Sequence, residues 1–173
     1  MKPILFIICG NIGTGKTTTA NYLSKIVKAP VVSVDQTINR IFENPSNKDK
    51  DIPFNEFELK ICYNTFALIT EHMLKSGNSI IVDGAFAKKK QRDLLISIAE
   101  KLKMPYYVLY VTCPDEIIKK RSSERFSKKE GVGWKAHLRL KKEYEPLNII
   151  HEIIDTSKDV ENQLKTFVKS FLT

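Results

Sequence analysis

Gly10-Asn11-Ile12-Gly13-Thr14-Gly15-Lys16-Thr17 reads G-x-x-x-x-G-K-T, with an extra glycine at Gly13. The apolar run Ile4 to Cys9 precedes it, and the helix-compatible stretch Thr17 to Lys28 follows. That strand, loop and helix context is the one a phosphate-binding P-loop requires. Glycines without a Cβ let the backbone turn its N–H groups inward, and the helix behind them offers its positive end. Gly10 through Thr18 is therefore expected to cradle phosphate oxygens, with Lys16 bridging the β- and γ-phosphates and the Thr17 hydroxyl ligating Mg²⁺. The plain alternative is a glycine-rich turn before a helix, and every consensus position here is filled.

A chain of 173 residues with 42% hydrophobic content is the size of one domain with one substantial core, so residues 1–173 are expected to form a single domain. Lys and Arg number 28 against 20 Asp and Glu, a net charge of +8, which favours polyanionic partners such as nucleotides or nucleic acid; a generally basic composition accounts for it equally well. Cys9, Cys62 and Cys113 are widely spaced and lack C-x-x-C pairing, which argues against a disulfide framework or zinc site and for a reducing, cytoplasmic location. The apolar start is too short for a signal peptide and leads straight into the phosphate loop. No run approaches the roughly 20 apolar residues that cross a bilayer, so no membrane association is expected, and no obligate protein partner is evident.

Five strands are expected in turn: Ile4–Cys9, Val31–Asp35, Ser79–Asp83, Tyr106–Val111 and Ile149–Asp155. Between them lie helical patterns. Leu59, Tyr63, Phe66, Thr70 and Met73 recur at helical spacing, Leu94 to Leu102 mark a second apolar face, and Val160 to Phe171 mark the last helix. Pro114 and Asp115 open a helix carrying Arg121 and Arg125, and a further charged helix runs from about Trp134 to Tyr144. The polar stretch from Asn44 to Pro53 reads as a loop. Strands alternating with helices argue a three-layer α/β fold with a parallel sheet.

In such a sheet, ligands collect beyond the carboxyl ends of the strands. Asp35 is the candidate general base for an acceptor hydroxyl, although aspartate also favours helix N-caps. Asp83 closes the apolar run Ile80-Ile81-Val82 as a Walker B acid does, and is expected to hold Mg²⁺ or to orient the acceptor; capping is again the plain reading. Arg121 and Arg125, on one helix face, are expected to close over the triphosphate as a lid spanning about residues 121–134, against the reading of solvated surface arginines. Arg40 and Arg92 are weaker candidates for the acceptor site. Phe57, Tyr63 and Phe66 read as core, and the three histidines lack ligand-like spacing.

The loop G-N-I-G-T-G-K-T, Asp35 after strand two, V-D-G-A-F with Arg92 nine residues past Asp83, R-S-S-E-R, and the late I-D-T-S together resemble the small P-loop kinases. The likeness is greatest to the branch with polynucleotide 5′-kinase domains, chloramphenicol phosphotransferase and gluconate kinase. The resemblance implies a P-loop NTPase fold with five parallel strands in order 2-3-1-4-5, ATP and Mg²⁺ as cosubstrates, and a mobile helical lid. It implies that Asp35 activates the acceptor, that Arg40 holds an acceptor phosphate, and that Thr156 and Ser157 border the adenine. The expected activity is transfer of the γ-phosphate to a hydroxyl of a small molecule, nucleotide or nucleic-acid 5′ end. A module of another class, in which ATP controls nucleic-acid binding through the basic stretch Lys135 to Lys142, is the alternative.

Overall fold

Leu5, Ile7 and Cys9 of strand β1 (Leu5–Cys9) enter one core with Val34, Ile38, Cys62, Phe66 and Leu95. Phe6 and Ile8 enter another with Ala20, Leu23, Leu164 and Phe167. Successive strand residues face opposite sides of a sheet, so a strand apolar at every position has to be covered twice. Both covers are present in the computed structural model of the chain, which describes residues 2–42, 55–127 and 133–172, without the side chains of residues 125–127 and 172. The loop expected at 44–53 lies outside the described residues, as does the 128–132 part of the expected lid.

After β1 come α1 (Lys16–Val27), β2 (Val31–Ser33), α2 (Val34–Ile41), α3 (Glu56–Lys75), β3 (Ile80–Asp83) and α4 (Lys89–Lys101). Then follow β4 (Tyr106–Thr112), α5 (Asp115–Ser127), α6 (Trp134–Glu143), β5 (Glu152–Asp155) and α7 (Val160–Leu172). The strands form one parallel sheet in the order β2-β3-β1-β4-β5, between a layer of α1 and α7 and a layer of α2, α3 and α4. This is the three-layer P-loop NTPase architecture and strand order expected. The chain leaves β1 through α1 on one side of the sheet and the neighbouring β3 through α4 on the other, and the crevice between the ends of those two strands is the switch point where open α/β sheets bind ligands. Register brings Ile8, Asp83 and Ser33 abreast, so the ends of β1, β3 and β2 open onto that crevice together.

Two strand boundaries differ from the reading of the sequence by more than one residue. β2 stops at Ser33, because Val34 and Ile38, four residues apart, are both buried on one face of α2. Asp35 therefore stands in a helix and does not close a strand. β5 begins at Glu152: Ile150 is 98% exposed, and the His151 ring is turned back onto the Ile149 carbonyl at 2.8 Å. Asn55 and Glu58 form a reciprocal capping box that starts α3. Among the described residues no helix is long and apolar enough to cross a membrane.

Candidate active site

The phosphate loop is held in a shape that only glycine tolerates at its ends. Gly10 has φ +143°, and a Cβ there would lie 2.3 Å from the Val111 carbonyl oxygen. Gly15, φ +95°, is the N-cap of α1, where a Cβ would press within 3.0 Å of Thr156 Cγ2. No side chain caps α1, so its first N–H groups are available to an anion. Within the loop, the Thr14 hydroxyl donates to the Asn11 carbonyl at 2.9 Å, and Lys16 Nζ donates to the same carbonyl at 2.8 Å. Lys16 thus arches over Ile12, Gly13 and Thr14, while Thr17 and Thr18 are exposed on the first turn of α1.

On the β3 side, the Thr17 hydroxyl donates to Asp83 Oδ2 at 2.8 Å. Asp83 is 2% exposed, and its Oδ1 has no hydrogen-bond partner among the described residues. Burial raises its pKa above the usual carboxylate range, against the opposing pull of the Lys16 charge and of the Thr17 and Ser33 hydroxyls. A buried oxygen left without a partner, beside a threonine hydroxyl at a phosphate loop, fits Mg²⁺. No cluster of three or more metal-ligating side chains occurs among the described residues, and Mg²⁺ ordinarily takes one or two protein ligands, with waters and phosphates as the rest.

Asp35 is exposed in the first turn of α2, whose N-cap is Ser33, so capping does not account for it. Its charge reaches the crevice: it adds to the rise at Asp83 and, behind burial, helps push the Cys62 thiol to about 12. The Thr17 hydroxyl thus meets Asp83 directly, and the Lys16 and Asp35 charges both act on that carboxyl. Arg40 occupies another face of α2 than Asp35. It is exposed in the last turn of the same helix, and five residues at 3.6 per turn set it about 140° round from Asp35.

Arg92, expected to hold the acceptor, is a structural clamp. It is 2% exposed, with Nη1 donating to the Phe86 and Ala87 carbonyls at 2.7 and 3.2 Å. Its Nη2 donates to Glu145 and Pro146 at 3.3 and 2.9 Å, tying the segment after β3 to the segment after α6. A buried guanidinium has to spend its donors, and carbonyls from two segments take four of the five.

Arg121 and Thr156 are brought together. Arg121 Nη1 donates to Thr156 Oγ1 at 2.9 Å and Nη2 to the Thr156 carbonyl at 3.1 Å. Thr156 Oγ1 in turn donates to the Thr14 carbonyl at 2.6 Å, so α5, the turn after β5 and the phosphate loop form one relay. The Ser157 hydroxyl is engaged elsewhere, on Asp155 Oδ1 at 2.6 Å. Arg125 is one turn beyond Arg121 on α5, and its side chain lies outside the described residues.

His137, to which the sequence assigns nothing, is latched to the phosphate loop. Its ring Nδ1 lies 2.9 Å from the Ile12 carbonyl, and its own carbonyl accepts from the Asn11 amide at 3.1 Å. Trp134, three residues earlier on α6, stacks on the imidazole at 4.7 Å between centroids. That aromatic pair at helical spacing in an otherwise charged helix was the available signal.

The chain matches the AAA domain family over residues 5–147. Among curated proteins nothing matches it significantly. Its fold is similar to that of Chaetomium thermophilum Kti12 solved with ADP-AlF3, at 19% identity, TM-score 0.77 and 97% of each chain. A sugar kinase from Janibacter sp. HTCC2649 is similar at 20% identity and TM-score 0.73, over 98% of this chain and 94% of that one. The APS kinase of Mycobacterium tuberculosis, in complex with AMPPNP and APS, is similar at 11% identity and TM-score 0.74, over 99% of both. With its phosphate loop, its sheet order and a match over most of its length, the chain belongs to the AAA domain family and fits the small P-loop kinase group that its sequence resembles.

Proposed function

We propose that the chain is a cytoplasmic ATP-dependent phosphotransferase, a single domain that moves the γ-phosphate to a hydroxyl of a small molecule, nucleotide or nucleic-acid 5′ end. The observation that carries this reading is the buried Asp83, one oxygen on Thr17 and the other without a partner, at the end of a glycine-shaped phosphate loop. Loop amides from Gly10 to Thr18 cradle the phosphates, and Lys16 leaves the Asn11 carbonyl to lie against the β- and γ-oxygens. Thr17 and Asp83 would hold Mg²⁺, which when bound offsets phosphate charge. Asp35 accepts the acceptor's proton as the new O–P bond forms and the bond to the nucleoside diphosphate oxygen breaks. Arg121 braces Thr156, which with Ser157 borders the base. Arg125, one turn further along a lid of about residues 121–134, reaches the transferring phosphate. Structural neighbours solved with AMPPNP and ADP-AlF3 support a nucleotide at this loop.

The nucleic-acid-controlled alternative is not favoured. In the basic stretch, Lys141 Nζ lies 2.5 Å from Asp115, Arg139 lies 3.0 Å from Glu143, and Ala136 and His137 are buried. Incubation with γ-labelled ATP and a panel of hydroxyl compounds tests the proposal. Transfer is expected, and Asp35→Asn is expected to slow it by about 10²–10⁴-fold. Transfer by that variant at the wild-type rate contradicts the base assignment, and nucleotide binding with no transfer to any hydroxyl contradicts the enzyme.

A further inference from the structure

Between the phosphate loop, the end of β4, the start of α5 and α6 lies a cavity of about 440 Å³, within the size range of small-molecule sites. It contains neither Asp35 nor Asp83, and it meets the phosphate loop only at Asn11 and Thr14. Asn11 and Thr14 form its end at the phosphate loop, Asp115, His137 and His151 supply polar groups, and Tyr110 and Tyr144 supply aromatic ones.

His137 decides what the cavity accepts. A carbonyl can only accept, so the contact with Ile12 puts a proton on Nδ1, and in the neutral imidazole Nε2 is then the lone-pair acceptor. The ring is 2% exposed, and Nε2 has no hydrogen-bond partner among the described residues. It stands 3.6 Å from Asp115 Oδ1, a second acceptor. Two acceptors so placed are stabilised by a group that donates to both. His151 repeats the pattern, because with its Nδ1 proton on the Ile149 carbonyl the neutral ring again has Nε2 as its acceptor.

The charges argue against an ion. Asp115 Oδ2 is 2.5 Å from Lys141 Nζ, so the carboxylate is already neutralised and the cation already committed. No arginine is among the described residues lining the cavity. An anionic ligand would meet Asp115 without a free guanidinium, and a cation would lie beside Lys141. Tyr110 sits 5.8 Å from Tyr144 and edge-on to His151 at 6.0 Å, giving an aromatic wall of the kind on which C–H groups pack.

We propose that this cavity binds a small uncharged polyhydroxylated molecule, a sugar or polyol, whose hydroxyls donate to His137 Nε2 and Asp115 Oδ1 while its carbon skeleton lies on Tyr110 and Tyr144. The assignment rests on the cavity and not on phosphoryl transfer, so it is tested without nucleotide. Glycerol, D-ribose, D-glucose and myo-inositol are titrated into ¹⁵N-labelled protein, with ethanolamine and acetate as charged counterparts. The His137 Nε2 resonance is followed by long-range ¹H–¹⁵N correlation, and binding by saturation transfer. At least one polyol is expected to move Nε2 and to show transfer. Asp115→Asn, which replaces an acceptor oxygen by an amide donor, is expected to weaken that binding about tenfold or more, and Tyr110→Leu to weaken it as well. Wild-type Nε2 reports without any variant, so a substitution that misfolds leaves the test intact. An Nε2 signal unmoved by every polyol, a response to ethanolamine or acetate instead, or polyol affinity unchanged in Asp115→Asn overturns the proposal.

Discussion

At the end of β3, Asp83 is buried with one oxygen on Thr17 and the other without a partner among the described residues. At the end of β5, Asp155 accepts from both the Ser157 N–H, at 2.9 Å, and its hydroxyl, at 2.6 Å, and lies 3.6 Å from Lys158. Both strands run apolar residues into an aspartate. β3 is paired on both sides and ends at the phosphate loop, whereas β5 is the edge of the sheet. Burial raises the pKa of the first carboxyl, and the Ser157 hydrogen bonds lower that of the second. A carboxylate kept short of donors is prepared for a ligand, and one saturated with them holds a turn.

Exchanging each for asparagine separates the two roles. Asp83→Asn is expected to reduce phosphoryl transfer by about 10²–10³-fold. Its melting temperature without nucleotide should hold or rise, since a buried charge with an unmet oxygen is replaced by an amide. Asp155→Asn is expected to do the reverse: a loss of about 0.5–1.5 kcal/mol in stability with far less effect on transfer. Equal losses of activity, measured side by side with thermal melts, would break the distinction.

A smaller effect sharpens it. Folding favours protonated Asp83, whose contribution is present below the ordinary carboxylate range and declines as pH rises through the raised value. Folding favours ionised Asp155, whose contribution is present above that range and is lost as pH falls through the lowered value. Denaturant titrations across acidic pH should therefore show the first slope flattened in Asp83→Asn and the second in Asp155→Asn.

What could be read from the sequence was local. The phosphate loop announces itself within eight residues, and the apolar runs of β1 and β3 are long enough to demand burial on both faces. Val31 to Val34 misled because β-branched residues favour strands, while the spacing of Val34 and Ile38 settles the start of α2. Arg92 lies nine residues past Asp83, as an acceptor residue would, yet its partners at Glu145 and Pro146 are more than fifty positions away. His137 meets Ile12 across 125 positions, and no local pattern encodes a contact of that span. The helical phase of Arg40 relative to Asp35 could not be read from the sequence, because Val34 and Asp35 read there as the end of a strand.

Calorimetric titration of a non-hydrolysable ATP analogue, with and without Mg²⁺, into wild type and Asp83→Asn bears most directly on the role given to the end of β3. Wild type should bind the analogue more tightly when Mg²⁺ is present, and that gain should vanish in the variant. Affinity indifferent to Mg²⁺ in wild type, or the same gain in both proteins, would contradict it.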